Sequence, residues 1–443
     1  MKKVIRFLAL FLIVSLMIPA VPASAAGKTL KLTASKAKNG VLTVPKGNYK
    51  KVTLSADTAG MTVNIKNATI KTLTVSGSAD QPTTFKLKKS KITKMTAKTG
   101  FAISGSGSSV ETISALAGEN TITIDVPVTT ITTDKAASNL YLNINAKIGD
   151  ISVNSSNTYL NITKDTDNVS VSGEGSMVVG NANVSKLVIT APNVSVYGVT
   201  SDGLSTDVTA NDAIYNGLKI ETGKSYTKSE LKAIKRVPIN LEGRYAFTKN
   251  ATSHDDIRAL LNDENVDVVV WNNAFSNPKN SDFEIIIPEN KTVIIKKGII
   301  PQADVTKKNE RSLRFGTSNK SALIIEDTNG FEKNVTSDVW FAGEKSYIGL
   351  DGVVQFENSY VENNDVGYSY LLFMSDNYKN RLMGYIYSGK MLSLQWDSTI
   401  TVEDELKLRS LGYDALDVRW LLENLKLGQW GIFDHYDIPD LPY

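Results

Sequence analysis

Val128-Thr129-Thr130-Ile131-Thr132-Thr133, Ile148-Gly149-Asp150-Ile151-Ser152-Val153 and Thr166-Asp167-Asn168-Val169-Ser170-Val171 are three hexapeptides, set 20 and then 18 residues apart, that spell one code. A branched residue opens each, a second follows three positions on and a third two further. Ile70, Leu73, Val75; Ile92, Met95, Ala97; and Val110, Ile113, Ala115 precede them, and Val184, Leu187, Ile189 follow. The steps along the seven copies are 22, 18, 18, 20, 18 and 18 residues. A fixed period near twenty marks a solenoid, in which each repeat is one coil that buries its apolar face only by stacking on its neighbours.

Between copies of the code lies a second short run with period two. In Thr62-Val63-Asn64-Ile65, Thr84-Phe85-Lys86-Leu87, Thr121-Ile122-Thr123-Ile124, Tyr141-Leu142-Asn143-Ile144 and Tyr159-Leu160-Asn161-Ile162 the second and fourth residues are apolar and share one face of a strand. Turn-rich pieces such as Ser104-Gly105-Ser106-Gly107 separate the runs. No segment from about 50 to 200 offers ten residues at 3.6 spacing, so a helical repeat fails. The reading is mostly β: a parallel β-solenoid, right-handed and β-helix-like, over 27–210, whose stretch 28–60 supplies the first coils and the cap for an open sheet edge.

The chain opens with Lys2, Lys3 and Arg6, an apolar run from Phe7 to Ile18 broken only by Ser15, and Ala23-Ser24-Ala25. That is the order of a signal peptide over residues 1–26, and twelve residues are short of the roughly 20 a membrane span needs. The expected location is secreted or extracellular, possible wall association included, with no transmembrane segment after signal removal. The formal net charge of +3 hides a segregation. Residues 28–100 hold fifteen lysines against Asp57 and Asp80, whereas 101–200 hold four against eight acids. There is no cysteine, which removes disulfides, thiolate zinc sites and cysteine nucleophiles and leaves stability to core size and backbone pairing.

After a junction at 211–250, with a helical piece at 228–236, a second start is legible. Ser253 can cap a helix over 254–262 with Asp256 at the third position, and Ile257, Leu260 and Leu261 give it a buried face. Strands are expected at 266–271, 283–287, 293–295, 322–325, 339–341, 347–350 and 353–356. A helix leading into such strands resembles the entrance of a right-handed parallel β-helix, where the helix plugs the open end. The second module is therefore 251–365, irregular and β-helix-like with a helical cap. Residues 366–443 form a small α+β C-terminal cap rich in aromatics.

Candidate binding residues fall in two groups. Lys86, Lys88, Lys89, Lys91, Lys94 and Lys98 point outward or sit in a turn, and form a basic patch suited to a polyanion. The patch lacks interleaved aromatics, so nucleic acid is not expected. Trp396, Trp420, Trp430 and Tyr436 could stack on sugar rings as a carbohydrate platform, against the plainer reading that they are the core of the tail. A column of small hydroxyls, Thr74, Thr96, Ser114, Thr132, Ser152 and Ser170, faces solvent as exposed strand threonines do; Lys94 and Asp150 interrupt the neighbouring column, against a regular ice-binding ladder. The two histidines, His254 and His435, form no metal pair and are expected at the surface beside acids. Asp434, Asp437 and Asp440 lack the geometry of a calcium loop. No cofactor or metal is expected.

The short leader, the Thr/Ser/Val/Ile/Asn-rich coils and the valine-centred repeat resemble the repetitive parallel β-solenoid surface and secreted proteins of Gram-positive bacteria, the bacilli and clostridia. The resemblance covers 28–210 well, 250–360 loosely and the tail not at all; the S-layer homology modules and sorting signals common in such proteins are not found. It implies a secreted or cell-surface solenoid with a non-catalytic binding or structural role in adhesion, carbohydrate or cell-wall polymer binding. Its partner would be a cell-wall polymer, a polysaccharide or a surface protein. The other class is a polysaccharide lyase or glycoside hydrolase on the second module. That class requires carboxylates and a basic residue converging in a groove within 250–360, where Glu326, Asp327 and Glu357 lie without anything in the sequence that brings them together.

Overall fold

The computed structural model describes residues 27–77, 81–234, 241–273, 284–299, 314–327, 337–341, 346–350, 352, 354–358, 368–374 and 381–387. Strand accounts for 52% and helix for 8%, so the mostly β class holds. The N-terminal module is a β-solenoid of two parallel sheets. One sheet, of twelve strands, climbs from Lys28–Leu32 through Gly47–Leu54, Ala68–Val75, Lys91–Ala97 and Ser109–Ala115 to Gly203–Thr206 and Ser225–Thr227. The other, of eleven, climbs from Val41–Val44 through Thr62–Lys66, Thr83–Lys88, Phe101–Ser106, Thr121–Asp125 and Tyr141–Ile144 to Ile214–Tyr215 and Leu218–Lys219. Each coil lays down one strand in each sheet.

The apolar code is the inward face of the twelve-stranded sheet. Every position of the seven copies is buried, the polar ones Thr133 and Thr166 included. Between the first and second columns two residues in succession face out, as in Lys71-Thr72 and Glu111-Thr112, and the strand bends there. The ladder skips the first of the two: Tyr49 pairs Ile70, then Lys51 pairs Thr72. Two further copies flank the seven. Tyr49, Val52 and Leu54 stack beneath Ile70, Leu73 and Val75, and Ser201, Leu204 and Thr206 stack above Val184, Leu187 and Ile189. The last copy escapes an apolar search because two of its inward residues are hydroxyls. They are satisfied locally: Ser201 donates to Gly203 O at 2.9 Å and Thr206 to Glu221 O at 2.7 Å, as buried polar atoms must be.

Corners are built from left-handed residues. Glu119, Asn139, Asn157, Gly175 and Asn193 stack at one corner with φ of 57°, 56°, 51°, 65° and 58°. The N–H of Asn139 reaches Ser156 O and that of Asn157 reaches Glu174 O on the next coil. Asparagine and glycine tolerate this conformation, which is why they recur there. Parallel stacking ends where Ser225–Thr227 and Leu218–Lys219 turn back antiparallel along the last strands of the two sheets. These strands carry the first module's sheets through part of the 211–250 segment read as a junction.

The second module is again a pair of sheets that begin parallel. One runs Tyr245–Phe247, Val268–Trp271, Thr292–Ile295, Ala322–Ile325, Ser346–Leu350 and Val354–Asn358. The other runs Glu284–Ile287, Arg314–Thr317, Ser337–Phe341, Tyr368–Met374 and Arg381–Tyr387. Both finish antiparallel, the second with a hairpin formed by its last two strands. Two aromatic-rich stretches assigned to the tail thus extend this module's sheet. The helix His254–Asn262 has the expected capping box, Ser253 Oγ accepting from Asp256 N at 3.3 Å and Asp256 accepting from Ser253 N at 3.0 Å. Ile257 and Leu261 are buried as expected, while Leu260 is only partly covered.

His254 corrects the expectation of a surface histidine. It is fully buried, with its ring edge-on to Trp271 at 5.9 Å. It occupies the first helical position on the same side as Ile257 and Leu261, so helix geometry turns it inward. Burial pushes its pKa down to about 4, with the nearby Arg258 guanidinium adding to the effect.

The two modules pack side by side. From Thr121 onward the outer face of the eleven-stranded sheet changes from threonine to large residues: Tyr141, Tyr159, Met177, Val179, Tyr197 and Ile214. All are buried in one cluster with Leu241, Val268, Val270, Ile294, Ile324 and Tyr347 of the second module. The modules climb in step: Tyr141 meets Phe247 and Asn272, Tyr197 meets Glu326, and Lys219 N reaches Gly352 O at 2.6 Å.

Candidate functional site

Seven half-exposed hydroxyls form an unbroken column up the twelve-stranded sheet. Thr53, Thr74, Thr96, Ser114, Thr132, Ser152 and Ser170 pair in register from coil to coil, one longer at the N-terminal end than the predicted ladder. Its neighbour reads Lys51, Thr72, Lys94, Thr112, Thr130, Asp150 and Asn168. That column is not uniform, and Asn168 Nδ2 donates to Asp150 Oδ1 at 2.7 Å across it.

The six candidate lysines are all exposed. They do not share one flat face. Lys86 and Lys88 end a strand of the eleven-stranded sheet, Lys89 turns the corner, and Lys91 opens Lys91–Ala97 of the other sheet with Lys94 on the same strand. Lys98 follows the far end of that strand, at most about 23 Å from Lys91 at 3.3 Å per residue, and stands apart. Five of the six therefore wrap one corner. Lys66 pairs directly beside Lys88, and Lys46, Lys50 and Lys71 lie in the coils below; the alternation that singled out Lys86 to Lys98 overlooked them because it was read within one coil instead of across coils. Among the described residues none of these lysines is in an ion pair. Asp57 is held elsewhere: the Ser55 hydroxyl and the Ala34 N–H keep its pKa below the ordinary carboxylate value.

The seam between the modules collects the buried ionisable groups. Tyr141 and Tyr159 stack at 4.8 Å, and Asn272 Nδ2 donates to Tyr141 Oη at 2.7 Å. Tyr197 Oη donates to Glu326 Oε1 at 2.8 Å, while Lys297 N donates to Oε2 at 2.9 Å. Lys249 Nζ lies 4.6 Å from the centre of the Tyr141 ring, and buried Lys296 lies 5.8 Å from that of Tyr159. Burial raises all three phenols, Tyr159 to about 12, and lowers Lys296, against which the nearby Glu326 charge works. Phenols so raised stay protonated at neutral pH and serve as hydrogen-bond donors or packing surfaces. The arrangement is a latch.

Glu326, one of the three carboxylates named for the second module, is closed inside that latch with both oxygens engaged. Among the described residues no group of three acidic, histidine or cysteine side chains stands close enough to hold a metal. A cavity of about 250 Å³ between Gly198, Tyr215, Lys228, Leu231 and Leu241 borders the join of the modules, with Lys228 tied to Asp202 at 2.7 Å. Trp396, Trp420, Trp430, Tyr436 and His435 lie outside the described residues, as does the leader at 1–26. No helix among the described residues is long and apolar enough to cross a membrane. Comparison with known proteins finds no matching family model, curated protein or solved structure, so function must be argued from this chain's own surfaces.

Proposed function

We propose that the chain is a secreted or cell-surface β-solenoid with a non-catalytic binding role toward a cell-wall polymer, similar in kind to the repetitive surface solenoids of bacilli and clostridia. One observation supports this above the others. From about Thr121 upward the second module covers the outer face of one sheet of the first, whereas among the described residues nothing is packed on the outer face of the other sheet or on the lysine corner. A long hydroxylated sheet face bordered by a basic corner suits adhesion to an extended polymer better than enclosure of a small substrate. The leader reading and the lysine excess agree with export to a surface rich in anionic polymers.

The test is co-sedimentation of the mature chain with purified Gram-positive cell walls, with the supernatant assayed for new reducing or unsaturated sugar ends. Retention on the walls without released sugar is the expected result. Sugar release that persists after repurification would replace this reading with the lyase or hydrolase one, and failure to sediment at low salt would remove the wall as partner.

A further inference from the structure

The geometry points to a more specific occupant for the basic surface: a linear phosphate-bearing polymer lying along the solenoid axis at the corner formed by Lys66, Lys88, Lys89 and Lys91. This inference rests on the binding role just proposed and names its ligand class.

Three unfavourable features meet at this corner. Lys66 and Lys88 sit directly opposite one another on adjacent parallel strands, about 4.8 Å apart in backbone spacing, and like charges so placed repel. Lys50 and Lys71 repeat the arrangement at the bend, each next to the paired residues Tyr49–Ile70 and Lys51–Thr72. Lys89 is held at a φ of 46°, in the stacked position that Asn67 and Gly107 occupy on the coils below and above. Glycine suits that conformation because it lacks a Cβ and asparagine because its short amide bonds to nearby backbone, whereas lysine has neither advantage. Finally, none of these ammonium groups has an acidic partner among the described residues. A surface selected only for solubility would place the same lysines apart and put asparagine in the turn. Glu119 is held in the same way at a φ of 57°; at Lys89 the strain falls beside a like-charge pair, and that coincidence is the pointer to use.

The corner is also rigid. Ser90 Oγ accepts from Ala68 N at 3.2 Å and lies 2.9 Å from Lys88 O, to which it donates. Asn67 N reaches Lys88 O at 2.9 Å and Lys89 N reaches Ser106 O at 3.0 Å. The charges are thus presented on a fixed frame in consecutive coils. The ligand's chemistry follows from what surrounds them. Ammonium groups are compact point charges suited to phosphate oxygens, and the hydroxyls of Ser104, Ser106 and Ser109 continue the same positions on the next coil. The aromatics of these coils, Tyr49, Phe85 and Phe101, are buried, so neither a pyranose ring nor an unstacked base finds a platform. A polyphosphodiester chain without bases fits best.

The test uses the mature full-length chain with inorganic polyphosphate and poly(glycerol phosphate) as probes, and single-stranded DNA and a neutral chitin oligosaccharide as comparators. Binding and thermal midpoint are measured at low and physiological salt. Wild type should bind both phosphate polymers with a salt slope of about −3, as four neutralised charges imply at about −0.7 each, and should melt higher when they are present. Lys66→Thr/Lys88→Thr should weaken binding at least tenfold and melt no lower than wild type without polymer. Lys89→Asn, which relieves the turn, should melt higher and also bind less; Lys98→Thr should bind as wild type. Unchanged polymer binding by the double variant and Lys89→Asn overturns the inference, as does tighter binding of single-stranded DNA or the neutral sugar. Wall binding that survives in these variants overturns this inference and leaves the wider reading intact. Polyphosphate binding without any wall binding by wild type does the reverse.

Discussion

Single residues carry much of the architecture. Gly198 has a φ of 72°, and a Cβ there would meet Leu241 O at 2.1 Å and Gly180 O at 2.3 Å. Both contacts are backbone, so neither can swing aside, and the clash lies where the first solenoid touches the start of the second. Gly198→Ala should cost more than the 1–2 kcal/mol of a left-handed alanine alone, read as an earlier denaturant midpoint together with exposure of the Tyr141–Tyr159 seam to quenchers. His254 sets a pH dependence. Its folded pKa near 4 lies below the ordinary 6.5, so between those values the unfolded chain takes up a proton that the folded chain refuses. Stability should be level above about pH 6.5, decline as pH falls to 4, and then level off in this contribution, by about 3 kcal/mol at most. His254→Phe should flatten that part of the curve; an unchanged slope would assign it to other groups.

At the scale of a strand, inward and outward positions should respond in opposite ways. Ile131 is fully buried in the middle of the stack, and Ile131→Ala should cost about 2–5 kcal/mol by lost transfer energy and an unfilled cavity. Thr132→Val beside it keeps the shape of a half-exposed strand residue and should lie within about 0.5 kcal/mol of wild type. Urea titrations compare the two directly. This contrast also explains what could be read from the chain. Burial writes a periodic apolar signal, so the copies at Ile70 to Ile189 and the capped helix His254–Asn262 were legible. Tyr49 was hidden by its phenol and Ser201 and Thr206 by their hydroxyls, because a local hydrogen bond can substitute for an apolar side chain inside a coil. His254 was misjudged for a related reason: one polar residue on an apolar helix face carries no periodic warning.

At the scale of the whole molecule, the side-by-side docking was not legible, although its trace is in the sequence. Tyr141 and Tyr159 occupy the outward column that threonine fills at Thr121, and large residues on a supposed solvent face mark a covered surface. Which partner covers it is decided by contacts more than a hundred residues away, such as Asn272 to Tyr141 and Glu326 to Tyr197, and no local pattern encodes those. The corner shows the same limit in smaller form. Lys66 belongs with Lys88 only once the 22-residue coil places them side by side.

Because the second solenoid starts alongside the first only near Thr121, the molecule is mechanically unequal along its length. Coils below that level are joined to their neighbours by one rung of backbone bonds per sheet, whereas those above are also splinted. Tension applied along the axis should unwind the lower coils one at a time. Each 18–22-residue release should add roughly 60–80 Å at 3.3–3.6 Å per residue. The splinted part should then hold to a higher force and yield in a larger step. Handles attached through cysteines introduced at residues 27 and 227 would read this in an optical trap, with no native cysteine to compete; equal small steps throughout would show that the splint bears no load. The coils that yield first are those that carry the lysine corner, so a pull along the axis would separate Lys66 from Lys88 before it disturbed the splinted shaft.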